Sequence, residues 1–307
     1  MDIGAVERHG RLSVKDGRLT DKHGKAVRLI GVSTHGIAWY PRYICRETLE
    51  YIVREWGINC IRFALYTREY GGYCSGGDKA DLRELILKGC GIAAELGIYA
   101  IIDWHVLSEK DPNVCADEAE EFFADMSSRL AGRDNIIYEI CNEPNADSDH
   151  AAVTRYARRI IPVIRRNAPE SVILVGSPTW SQDIHLAAEQ PLPFENIMYT
   201  FHFYAATHGQ YLRERVEECV KNGLPVFVSE YGMCASDGGG ELDEHEAREW
   251  LTLLDRYGIS MICWNLSDDD ESAAFIRHGC EKLSGWSAEE LTPHGRFFLE
   301  SGLLPAE

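Results

Sequence analysis

Eight short apolar runs rich in Ile, Val, Tyr and Phe recur along the chain, and amphipathic segments of helical spacing lie between them. The runs are Val27–Val32, Cys60–Leu65, Tyr99–Asp103, Ile136–Cys141, Val172–Val175, Ile197–Phe203, Val226–Ser229 and Met261–Trp264. They are nearly continuous rather than alternating, which is how a parallel strand reads when both of its faces are covered. Helices are expected over Arg46–Trp56, Lys79–Leu96, Cys115–Leu130, Ala151–Asn167, Tyr211–Asn222 and Glu244–Tyr257. Gly57, Gly97, Gly223 and Gly258 each stand where a helix should stop just before a strand, the position at which glycine takes the left-handed conformation cheaply. Eight such alternations over 307 residues predict an α/β fold, a single (β/α)8 TIM barrel. The runner-up is a doubly wound open sheet. That fold usually carries a Gly-rich turn after its first strand, and here the chain reads Ser33-Thr34-His35-Gly36, with no GxGxxG or Walker loop anywhere. Leu12–Val27, with Asp16-Gly17 and His23-Gly24, reads as a short N-terminal β-hairpin ahead of the barrel. No Pro/Ser-rich linker divides residues 1–307, so one domain is expected.

Composition narrows the function. A net charge of −18 opposes phosphate backbones and anionic lipid surfaces, so neither nucleic acid nor membrane is an expected partner. No apolar run is long enough to span a bilayer. The opening residues Met1-Asp2-Ile3-Gly4-Ala5-Val6-Glu7-Arg8 lack the basic cluster and apolar core of an export signal. Ten cysteines form no CxxC pair. Cys60, Cys141 and Cys263 sit inside apolar runs and read as small buried thiols. Cys74 and Cys115 lie in expected loops, and no sequence pattern pairs them.

Active sites of (β/α)8 barrels lie at the C-terminal ends of the strands. The residues there are His35, Arg62, Asp103, His105, Asn142, Glu143, Ser177, Trp180, His202, Tyr204, Glu230 and Trp264, a concentration of titratable and aromatic side chains on one face. Glu143 precedes Pro144, which keeps its backbone extended. Glu143 and Glu230 end the fourth and seventh runs, on roughly opposite sides of the barrel, so long side chains from both can meet over its mouth. Two carboxylates flanking one bond are the equipment of glycoside hydrolysis.

These residues carry a resemblance to glycoside hydrolase family 5. Asn142-Glu143-Pro144 and the Glu230 segment look like that family's motifs, and the likeness extends further. Ser33-Thr34-His35-Gly36-Ile37-Ala38-Trp39-Tyr40-Pro41, Asp103-Trp104-His105, Thr179-Trp180-Ser181-Gln182-Asp183, His202 through Gln210, and Trp264-Asn265-Leu266-Ser267-Asp268 are similar to segments of bacterial endoglucanases of its subfamily 2, in the same order. The resemblance implies a retaining endo-β-1,4-glucanase with Glu143 as general acid/base and Glu230 as nucleophile. It implies carboxyl groups about 5 Å apart, where an inverting enzyme would show about 6.5–9.5 Å. Arg62 and Tyr204 would stabilise the charge of Glu230, and Glu143 would be pushed up by that neighbouring charge. Asn142 would meet the sugar 2-hydroxyl, and His105 and His202 would meet hydroxyls or the leaving side. His35, Trp39 and Tyr66 would build glycone subsites, with Trp264 as floor and Trp180 on the leaving-group side. A non-proline cis peptide is implied at Trp264-Asn265. The implied partner is a β-glucan polysaccharide or oligosaccharide, with no cofactor, no metal and a monomeric enzyme. The family is typically exported, which points outside the cell; a cytoplasmic location is the alternative that the absent signal favours.

Two positions depart from the pattern. Tyr231 stands where related enzymes often have Trp, and Asp269 where many have a Lys that binds a distal glucosyl unit. With Asp268, Asp270 and Glu271 around it, Asp269 should re-pattern the outer glycone subsites, leaving mixed-linkage glucan or mannan as alternative substrates. Competing functions are a metal-dependent barrel hydrolase using Asp103, His105, His202 and a Glu, and a catalytically silent glycan-binding barrel. A Schiff-base aldolase is disfavoured because no Lys ends a strand.

Overall fold

The computed structural model describes residues 4–146 and 148–301; Met1-Asp2-Ile3 and the last residues of the expected domain lie outside the described residues. Two short antiparallel strands, β1 (Ser13–Lys15) and β2 (Arg18–Thr20), form the expected hairpin. Asp16 and Gly17 at its tip both have positive φ, 52° and 73°, the turn geometry whose twist matches that of paired strands. Eight parallel strands follow: β3 (Ile30–Thr34), β4 (Cys60–Tyr66), β5 (Tyr99–His105), β6 (Ile136–Glu139), β7 (Ile173–Val175), β8 (Ile197–Tyr204), β9 (Val226–Gly232) and β10 (Met261–Leu266). They close in sequence order, with β10 against β3, and so confirm the (β/α)8 barrel over the open sheet.

The helices follow the amphipathic segments closely. Those at Lys79–Glu95, His150–Arg165 and Glu244–Tyr257 are opened by Asp78, Asp149 and Asp243, whose carboxylates accept from backbone N–H groups of the first turn. All four glycines expected to close helices have positive φ. Short helices at Ala5–His9, Ile184–Glu189 and Pro293–Glu300 are additional; runs of this length carry too little periodicity to read.

Although every residue of the long strands is buried, their faces differ. On β4, Ile61, Phe63 and Leu65 pack outward into the core shared with the helices, whereas Cys60 belongs to a second cluster inside the barrel. That inner cluster joins Tyr99, Ile101, Ile137, Leu174, Met198, Phe227 and Ile262 to Leu12 and Leu19 of the hairpin segment, which therefore corks the lower end. Tyr99 ties it down by donating to the Gly10 carbonyl at 2.6 Å. Two residues further along five of the strands the same face becomes polar. Arg62 follows Cys60, Asp103 follows Ile101, Glu139 follows Ile137, Thr200 follows Met198 and Ser229 follows Phe227, all of them buried.

β9 breaks this alternation. Between the pairs Thr200–Phe227 and His202–Glu230, β8 advances two residues and β9 three. The β10 side agrees: Met261 pairs with Val228 and Cys263 with Tyr231. This is a β-bulge. It lets the consecutive residues Ser229 and Glu230 both reach inward, while Val228 and Tyr231 pack outward.

Candidate active site

Arg62 organises the mouth of the barrel. Its side chain is fully buried. Its Nε donates to Glu139 Oε2 at 2.7 Å, and its Nη1 to Glu230 Oε2 at 3.1 Å and Ser33 Oγ at 3.3 Å. Its Nη2 donates to Asn142 Oδ1 at 2.6 Å and lies 3.0 Å from Asp103 Oδ2. A buried guanidinium is tolerable only when its donors are met by acceptors in this way. Tyr204 at the end of β8 donates its hydroxyl to Glu230 Oε1 at 2.8 Å. Both oxygens of Glu230 thus face donors, which stabilises negative charge on them. Arg62 and Tyr204 reach Glu230 as expected.

Glu143 follows β6 and turns into the same space. One of its carboxyl oxygens, one of Glu230's and a ring nitrogen of His202 all lie within 4.8 Å of one another. The two carboxyl groups therefore share one space, with an oxygen of each within 4.8 Å of the other. Burial is the largest influence on Glu143 and the Glu230 charge the next, and together they push its pKa well above 4.5. The sequence reading credited the neighbouring charge alone; the desolvation of the site adds to it.

The surrounding donors fix where the protons sit. Burial holds His202 well below the usual imidazole value, so the ring is neutral. Its Nε2 faces Ser229 Oγ at 3.0 Å, and that hydroxyl donates onward to Glu139 Oε1 at 2.5 Å. Nε2 therefore carries the ring hydrogen, and Nδ1, 2.8 Å from Glu143 Oε1, accepts from the Glu143 carboxyl. A continuous hydrogen-bonded path runs from Glu143 through His202, Ser229 and Glu139 to Arg62 and back to Glu230. Asn142 is held similarly, accepting from Arg62 and donating to the Val106 carbonyl at 3.2 Å and towards His105 Nε2 at 3.3 Å. His105 Nδ1 in turn meets Asp103 Oδ2 at 2.6 Å. Burial lowers His105 to about 4, so this ring too is neutral.

Aromatic side chains line the trough on either side. Trp39 is 37% exposed and stacks on Tyr66 at 4.7 Å, with its Nε1 donating to the Tyr70 carbonyl at 2.6 Å. His35 sits among Trp39, Tyr40, Tyr66 and Trp264, with ring centroids between 5.1 and 6.0 Å away. Trp264 stacks on His105 at 5.2 Å, and its peptide bond to Asn265 is cis, as the resemblance implied. Asp269 Oδ2 lies 3.7 Å from His35 Nε2. On the opposite flank, Thr179, Trp180 and Ser181 all have positive φ near 55°. Three successive non-glycine residues in the left-handed region are costly and mark functional segments. The turn is pinned by Trp180 N donating to the Pro144 carbonyl and Ser181 Oγ to that of Asn142. It leaves Trp180 44% exposed beside the Glu143 loop.

Three groups among the described residues bring metal-type donors within reach of one another: Glu143 with His202 and Glu230, His35 with Asp269 and Glu271, and Cys74 with Cys115 and Glu118. None joins Asp103 or His105 to His202, so the metal set of the competing hydrolase is not assembled. Tyr231, the first of the two departures, packs outward against Phe203 at 5.3 Å. The sequence reading missed Glu139 and Ser229. Glu139 ends β6 but lies inside the expected run Ile136–Cys141, and the signal that could have found it is its inward phase two residues after Ile137. Ser229 likewise follows the inward Phe227 by two residues, and it is Glu230 that owes its inward position to the bulge.

The model of the cellulase family, glycosyl hydrolase family 5, matches residues 20–270. The chain belongs to glycosyl hydrolase family 5. It is 43% identical over 295 residues to Endoglucanase A of Butyrivibrio fibrisolvens, an alignment covering 95% of this chain and 68% of that protein. It spans 66% of Endoglucanase N of Pectobacterium atrosepticum, at 40% identity over 96% of this chain, and 56% of Endoglucanase A of Evansella cellulosilytica, at 42% identity over 90% of this chain. A solved structure, Cellulase Cel5C_n, superposes with a TM-score of 0.96 at 38% identity, covering 100% of this chain and 96% of that one. The catalytic domain of Thermobifida fusca endoglucanase in complex with cellotetraose does so with a TM-score of 0.92 at 35% identity, covering 96% and 98%.

Proposed function

We propose that this chain is a retaining endo-β-1,4-glucanase, with Glu230 as nucleophile and Glu143 as general acid/base. The observation that carries the reading is the approach of two buried carboxyl groups within 4.8 Å at the mouth of an aromatic-lined trough. That is too close for a water to be activated between them, and close enough for one to attack the anomeric carbon while the other protonates the departing oxygen. Glu230 attacks with both oxygens already oriented by Arg62 and Tyr204. Glu143, protonated and donating to His202 Nδ1, gives its hydrogen to the leaving oxygen. Once Glu230 is a neutral ester, the charge that raised Glu143 is gone, and Glu143 takes a proton from the water that completes hydrolysis.

Asn142 meets the 2-hydroxyl, His105 and His202 border the cleaved unit, and Trp264 forms its floor. Sugar C–H faces are apolar, so Trp39 with Tyr66 and His35 suits glycone rings and Trp180 suits the leaving side. Asp269 supplies an acceptor beside His35 where a Lys donor would serve other enzymes, and this re-patterns the distal glycone contacts. Residues 1–307 act as one catalytic domain and as a monomer, outside the cell, where polymeric glucan is found. Hydrolysis of a defined cello-oligosaccharide with anomer-resolved products tests the reading: the first product should keep the β configuration. Glu230→Gln should lower turnover by roughly 10⁴-fold or more while binding persists. An inverted product, or normal turnover in that variant, would remove the assignment.

A further inference from the structure

Outside the trough, Cys74 and Cys115 stand sulfur to sulfur. Forty-odd positions separate them in sequence, yet their sulfurs and a Glu118 carboxylate oxygen lie within 4.8 Å of one another. Cys74 sits in the loop after β4, and its N–H is anchored to the Thr67 carbonyl at 2.8 Å. Cys115 immediately precedes the helix Ala116–Arg129 and is 3% exposed. Cys115 stands at the N-terminus of that helix, a position that favours a thiolate. Cys74 is half-buried and reachable from solvent, whereas Cys115 is not. The other buried thiols, such as Cys60, Cys90 and Cys141, are held high by burial.

We propose that Cys74 and Cys115 are a disulfide site that braces the β4 and β5 loops at the rim of the barrel when the protein meets a small-molecule disulfide oxidant. Side-chain rotation and a small movement of the surface loop bring the sulfurs to the ~2.05 Å of the bond. The step balances as thiol–disulfide exchange. Cys74, deprotonated, attacks one sulfur of oxidised glutathione and expels one glutathione thiolate. The Cys115 thiolate then attacks the Cys74 sulfur of the mixed disulfide and expels the second. The protein loses two electrons and two protons, and the oxidant becomes two molecules of reduced glutathione. The loop so tied holds the Tyr70 carbonyl that accepts from Trp39, and its Thr67 hydroxyl donates to Glu109 with the His105 carbonyl 3.3 Å away. The bond would therefore stiffen the glycone wall against the segment leading to Glu143, without touching a reacting atom. Closing a loop of about 40 residues restricts the unfolded chain substantially.

The test is incubation of the whole reduced protein with oxidised glutathione, followed by non-reducing peptide mapping and a thermal scan. The expected result is one crosslinked peptide pair containing Cys74 and Cys115, two fewer titratable thiols, and an unfolding midpoint raised by about 5 °C that dithiothreitol reverses. Cys74→Ser and Cys115→Ser should each abolish the shift. Pairing of other cysteines, a glutathione adduct left on Cys74 with Cys115 free, or a shift that persists in both serine variants overturns the proposal. So does stoichiometric zinc protecting both thiols of the reduced protein and blocking the crosslink, which would make Cys74, Cys115 and Glu118 a metal site.

Discussion

Ile101 and Asp103 lie two residues apart on β5 and point into the same lumen, yet one is surrounded by hydrocarbon and the other by charge. The same step recurs at Cys60 and Arg62, Ile137 and Glu139, and Phe227 and Ser229. Apart from the Tyr99 hydroxyl, which is met by the Gly10 carbonyl, the lower layer has no side-chain hydrogen-bond geometry to satisfy, so hydrophobic residues of suitable volume fill it. The upper layer works only as a set, because Arg62, Glu139, Ser229 and Glu230 each depend on a partner from another strand. One barrel thus separates its tasks by height: the lower half stabilises the fold, and the upper half holds the charges that the chemistry needs.

Substitutions at matched heights sharpen that contrast. The largest effect on turnover among these is expected at Glu143. Glu143→Gln removes the proton donor and should lower kcat by roughly 10²–10⁴-fold on a cello-oligosaccharide. The wild-type pH profile should also identify it. A carboxyl whose pKa is raised keeps its proton to higher pH than an ordinary glutamic acid, so acid catalysis is present below that value and lost as pH rises through it. The alkaline limb of kcat/KM should therefore lie above 4.5; a limb at or below that value would contradict a raised Glu143. Next comes Glu139→Gln, which touches neither carboxyl directly. It should lower kcat by about 10²-fold through misplacement of Arg62 and His202, with KM little changed. Because the Glu139 charge helps to raise Glu143, the alkaline limb should also move to lower pH, a readout that mere destabilisation would not produce. The smallest effect on turnover belongs to the lower layer. Phe227→Ala should cost about 3–5 kcal/mol of stability, measured by denaturant unfolding, and leave kcat unchanged well below the unfolding midpoint. A large kcat loss there would mean that the two layers are not separable.

Much of this division could be read from the sequence. The run of apolar segments punctuated by Gly57, Gly97, Gly223 and Gly258 is local information, and it located every barrel strand to within a few residues. Residues at strand ends, such as Glu143, Tyr204 and Trp264, follow from topology once the barrel is assumed. Glu139 did not, because a carboxylate inside an apolar run looks like noise until the identity of its cross-barrel partner, Arg62, is known. The left-handed turn at Trp180 was equally hidden, since nothing in Thr179-Trp180-Ser181 prefers that backbone. The outward placement of Tyr231 and the inward placement of Glu230 beside Ser229 depend on one extra residue in β9, and alternation counted from Val226 cannot reveal it.

That extra residue sets a phase for everything downstream in its strand. Deleting one position between Phe227 and Glu230 would restore a regular ladder and leave room for only one of Ser229 and Glu230 to face the sugar. Amino-acid exchanges in the segment alter chemistry or packing one side chain at a time, but a change in length re-addresses the rest of the strand at once. The segment should therefore tolerate many replacements and almost no insertions or deletions, and a recombination library that crosses over there in mismatched frames should yield folded but inert proteins.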